Sequence, residues 1–93
     1  MRTLFDQEII DLIRQKRIAL EMSQEDFSFK LGFKSNGFVA GIESPRSTKK
    51  YNPVHINKAA LIFNCSIWEL VPQNPIADNK TIKAQLKKEG TVS

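Results

Sequence analysis

The sequence predicts an all-α protein, a compact bundle of five short helices, and two observations carry that expectation. Apolar residues recur three or four positions apart in successive short segments, the spacing that places them on one helix face. Between those segments stand residues that start or stop helices: Ser23, Gly32, Pro45, Pro53, Asn64, Ser66 and Pro72. Such residues satisfy or forbid the backbone hydrogen bonds at helix ends, so they mark boundaries by a local mechanism.

The first and longest helix is expected from about Asp6 to Glu21. Its stripe is Ile9, Leu12 and Ile13, followed by Arg17 and Leu20, with Arg14 and Lys16 toward solvent and Leu4 and Phe5 folded back onto the core. Met22 fills the short connection. Ser23 then caps a second helix whose first turn carries Glu25 and Asp26, acids that suit the positive end of the helix dipole. Phe27 and Leu31, four apart, form its inward face, and Gly32 stops it in a left-handed conformation. Phe33 plugs the turn. Ser35 or Asn36 caps a third helix, anchored by Val39 and Ile42 and ended by Pro45. Helix, tight turn and helix from Ser23 to Ser44 follow the order of a helix-turn-helix.

Pro53 suits the first turn of a fourth helix with Ile56, Ala59, Ala60 and Phe63 inward and Asn64 as its left-handed cap. Ser66 caps a last short helix, IWELV, with Ile67 and Leu70 inward. Trp68 is either an interface anchor or a half-buried core residue. From Gln73 the chain becomes turn-rich. Residues 1–72 are therefore expected as one domain and 73–93 as a tail, partly flexible or helical only in a dimer, with Ile76, Ile82 and Leu86 as its apolar residues.

Composition narrows the function. With 14 basic and 10 acidic residues the formal net charge is +4. Residues 46–58 hold Arg46, Lys49, Lys50 and Lys58 and no acid, and every other stretch is balanced or nearly so. A basic focus just after the helix pair points to a polyanion such as DNA. One cysteine, Cys65, precludes an internal disulfide and suggests a reducing, cytoplasmic setting. The longest apolar run, Ala59 to Phe63, is too short for a signal peptide or a membrane span. His55 and Cys65 are each the only residue of their kind and lack partners at nucleophile or metal spacing, so neither an enzyme nor a metal or cofactor site is expected.

From Ile9 to Pro72 the chain resembles the phage-repressor and Cro-like (XRE) family of lambda-repressor-like DNA-binding domains. The pieces that carry the resemblance are IRQKR, SQEDF, KLGF, VAGIE and NCSIWELVP. It implies double-stranded DNA binding as a small transcriptional regulator, usually a dimeric repressor, with a recognition helix at about 36–44 in the major groove. It implies an ion pair between Arg17 and Glu43, and a Gln24 that contacts phosphate and braces the recognition helix. It places base reading at Lys34, Ser35, Asn36 and Gly37, then Gly41. The apolar Phe38 and Ala40 beside them suit thymine methyls, and Phe38 equally suits packing against the core. Backbone contacts fall to Arg46, Ser47, Thr48, Lys49 and Lys50, with Tyr51 and Asn52 beside them.

The stretch from Gly32 to Glu43 is one residue longer than the family pattern. Two of the reading positions become Gly37 and Gly41, which have no side chain for a base edge, so the expected specificity is modest or shape-based. Two other readings keep the fold: a protein-interaction module without DNA binding, favoured by those glycines, and an antitoxin that represses its own promoter.

Overall fold

The computed structural model describes residues 2–35 and 37–77. Among them the secondary structure is entirely helical: α1 (Leu4–Ala19), α2 (Gln24–Lys30), α3 (Gly37–Glu43), α4 (Pro53–Phe63) and a single 3₁₀ turn at Ile67–Leu70. The expected five-helix bundle is thus corrected to four α-helices and one 3₁₀ turn. The last element spans only four residues, with its reciprocal Ser66–Glu69 cap at one end and extended Val71 at the other, so there is no room for an α-helical ladder. Asn36, the tail's Ile82 and Leu86, and the tail beyond Ala77 lie outside the described residues.

Local chemistry explains each start. Thr3 and Asp6 form a reciprocal capping box, so α1 begins at Leu4, two residues before the expected Asp6. Leu4 and Phe5 lie in its first turn on the outside and do not fold back, Leu4 being 57% exposed. The helix also ends earlier than Glu21. Leu20 is its half-exposed cap and Glu21 takes a left-handed φ of 56°. Ser23 caps α2 by accepting from the Asp26 N–H at 3.0 Å. Gly32, at φ 103°, terminates it, in the region where a side chain is strained. Asn52 caps α4 with Pro53 in its first turn, and Asn64 closes it at φ 53°.

The core joins all four helices. Ile9, Ile10, Ile13, Phe27, Leu31, Val39, Ile42, Tyr51, Ala59, Ala60, Phe63 and Leu70 form one buried cluster. Phe27 is at its centre, stacked on Phe63 with ring centroids 4.9 Å apart and tilted against Tyr51. α2 packs most extensively on α3, while α1 reaches α3, α4 and the 3₁₀ turn. Lys16 and Glu69, 2.7 Å apart, tie α1 to that turn on the surface. Leu70 is inward as expected, but Ile67 is 43% exposed. A 3₁₀ turn repeats every three residues, so Leu70 and Ile67 share an edge and only the later of them reaches the core. Trp68 is 71% exposed, at the rim of a hollow with Leu12, Val71, Pro72 and Gln73. No helix among the described residues is long and apolar enough to cross a membrane.

Candidate nucleic-acid interface

Three tertiary contacts fix α3. At its C-terminal end, Arg17 Nε and Nη2 donate to the two Glu43 oxygens at 2.9 and 2.8 Å, and Arg17 Nη1 donates to the Met22 carbonyl at 2.7 Å. Both side chains are buried, 9% and 3% exposed. Gln24 Nε2 donates to Glu43 Oε1 at 2.9 Å, and Arg14 stands 3.6 Å from the same oxygen. Glu43 thereby gathers α1, the start of α2 and the end of α3 around one carboxylate, which its burial requires.

At the N-terminal end the buried Ser28 of α2 accepts from the Val39 N–H at 3.1 Å, satisfying a first-turn donor of α3 from a neighbouring helix. Ser35 accepts from the Gly37 N–H, also at 3.1 Å. The third contact is Arg2, for which the sequence offered no role. Its guanidinium donates to the carbonyls of Ile42 and Ser44 and, through Nε, to the Lys49 carbonyl at 2.8 Å. Arg2 therefore fastens the loop after Pro45 to the end of α3. A lone arginine ahead of a helix cap carries no pattern, so no spacing rule could have found it.

The candidate contact residues separate into engaged and available ones. Lys34, Ser35, Gly37, Arg46, Lys49 and Lys50 are exposed. Lys34, Ser35, Gly37 and Lys49 line a shared hollow with Phe33 and Phe38. Lys50 lies 3.4 Å from Asp6. Burial pushes the Asp6 carboxyl up, but hydrogen bonds from Thr3 and the Lys50 ammonium outweigh it and leave the group below its ordinary value. Ser47 is half-buried and its hydroxyl accepts from the Lys49 N–H. Gly41 is half-buried beneath the Lys49 side chain.

Packing corrects one candidate and decides between the two readings of Phe38. Tyr51 belongs to the core, and its hydroxyl is buried without a hydrogen-bond partner among the described residues. Burial, then the Glu43 carboxylate, raises its phenol well above the ordinary range. Phe38 is half-buried with its ring stacked on Phe33 at 3.7 Å between centroids, so that face is not available to a thymine methyl. Asn52 is occupied as the cap of α4.

His55 completes this aromatic group, edge-on to Phe33, Phe38 and Tyr51. Its Nδ1 accepts from the Asn52 N–H at 3.1 Å, which requires the neutral ring. Burial first, then the Lys58 ammonium, lowers its pKa from the usual 6.5. The unfolded chain therefore binds a proton near pH 6.5 while the folded one does not, and this contribution to stability, complete above that pH, is lost as pH falls below it. Urea midpoints at pH 7.5 and at about 5.5 should differ more for the wild type than for His55→Gln, which keeps an acceptor at the same capping position. An equal loss in the variant would assign the pH dependence elsewhere.

Cys65 is half-buried against the core, and burial raises its thiol pKa, as suits a packing residue. No group of three or more metal-ligating side chains occurs among the described residues. No protein-family model, curated protein or solved structure matches the chain.

Proposed function

We propose that the protein binds double-stranded DNA as a small transcriptional regulator, with α2 and α3 acting as a helix-turn-helix of lambda-repressor-like type and α3 entering the major groove. The observation that supports this reading most is how α3 is mounted. Its C-terminal end is clamped by Arg17, Gln24 and Arg2, and Gly37, Ala40 and Gly41 face away from the core beside the basic loop. A rigid helix with a shallow outer face lets its backbone approach base edges closely, and the adjoining cations supply phosphate contacts that set register and affinity. Two copies on half-sites about one helical turn apart would pair through the face that bears Trp68.

Mobility-shift titration of the full chain against random duplex at two salt concentrations tests the proposal. Binding should weaken steeply as salt rises, because each neutralised phosphate releases counterions. Exchanging both Arg46 and Lys50 for Ala should weaken binding to every duplex alike and reduce the salt slope by about 2, roughly 0.9 per phosphate contact. Absent or salt-insensitive binding would instead favour a protein partner for the same face.

A further inference from the structure

Gly41 occupies the position, one turn into α3, from which a side chain would be expected to reach a base. The space its missing side chain leaves is taken by another residue. A Cβ built on Gly41 would stand 3.6 Å from Lys49 Nζ and 3.7 Å from Lys49 Cδ. The lysine thus lies along the outer surface of α3 at van der Waals distance, with its ammonium over the glycine. Its backbone is held on both sides: the carbonyl accepts from Arg2 Nε at 2.8 Å, and the N–H donates to Ser47 Oγ at 3.0 Å. The same arginine bonds the carbonyls of Ile42 and Ser44, so the origin of the Lys49 side chain is fixed relative to the end of α3.

We infer that Lys49 is a specificity-determining residue, which crosses from the loop onto α3 and presents its ammonium to a guanine in place of a side chain at position 41. The inference rests on the DNA-binding reading above. An ammonium carries donors only, and guanine alone offers two adjacent major-groove acceptors, O6 and N7. The residue is exposed, and among the described residues no carboxylate pairs with it to draw the charge away. Lys49 also lines the hollow that contains Lys34, Ser35 and Gly37, so its reach coincides with the remaining polar candidates at the start of α3. In this arrangement position 41 must stay small: a side chain extending beyond Cβ would lift the lysine off the helix.

Selection of bound sequences from a random duplex pool, followed by titration of the selected and random duplexes, tests this with the full chain. Wild type should select a guanine at one position of each half-site. Lys49→Met, which keeps the length of the side chain, should lose that preference, about tenfold in the ratio of selected to scrambled affinity. Lys49→Arg should retain it. Gly41→Leu should lose it as well although no charge has changed, whereas Gly41→Ala, whose Cβ makes only an ordinary contact, should keep it. A Lys49→Met protein that weakens on all duplexes by one common factor while keeping the guanine preference would make the residue a phosphate contact and overturn the inference. If wild type binds no duplex at low salt, the DNA-binding reading itself falls, and the inference falls with it.

Discussion

Arg17→Met should lower the folding free energy by about 3–5 kcal/mol, read from urea denaturation at neutral pH. The magnitude follows from what remains. The Glu43 side chain is 3% exposed and, among the described residues, keeps only Gln24 Nε2 at 2.9 Å and the more distant, solvent-facing Arg14. A buried carboxylate that loses a two-pronged guanidinium carries its desolvation cost without the interaction that offset it. The Met22 carbonyl loses its donor too, at the junction between α1 and α2. Pairing Arg17→Met with Glu43→Leu should recover most of the loss, since two apolar side chains fill the site without a stranded charge. A single variant within about 0.5 kcal/mol of wild type would show that the pair behaves like an exposed one. If DNA binding is the function, the single variant should also bind less tightly, because the same carboxylate holds α3.

Phe27→Ala should cost a comparable amount, about 3–5 kcal/mol. Phe27 is fully buried, stacks on Phe63 and touches Tyr51, so it joins α2 to α4 and to the end of the basic loop. Its removal leaves a cavity between elements that are pinned elsewhere and cannot collapse into it. In a domain of this size each kcal/mol shifts the thermal midpoint by about 4–8 °C, so a calorimetric scan should show a fall of well over ten degrees. Phe27→Leu, which refills part of the volume, should lose markedly less. An equal loss in both variants would locate the effect in the aromatic contacts instead of the cavity.

Much of the site follows from residues close in sequence, and the exceptions are instructive. Ser23, Asn64 and Gly32 act where their types and spacings place them. The inward pairs Phe27 with Leu31 and Val39 with Ile42 are buried for the same reason, since an i, i+3 or i, i+4 pair shares a face whatever lies opposite. Tyr51 shows the limit. It sits within a polar, basic run and reads as a surface residue, yet it is buried because α2 and α4 leave a ring-sized space that the loop must fill.

A short-range rule also misplaced Leu4 and Ile67. Each is apolar near a helix start yet exposed, since hydrophobicity alone does not decide which of two neighbouring apolar residues is buried.

The sequence by itself determined the helical class, the element order and the bounds of α2 and α4, while both ends of α1 and the form of the last element differ from it. A cap or a breaker acts on backbone groups within about four residues and needs no knowledge of the rest of the chain. Only the tertiary structure decided that Arg2 holds the loop to α3, that Ser28 of one helix caps the next, and that Lys49 lies over Gly41. Those contacts join residues separated by loops whose paths are set by how the helices pack, and packing depends on the complementary shapes of all the faces together.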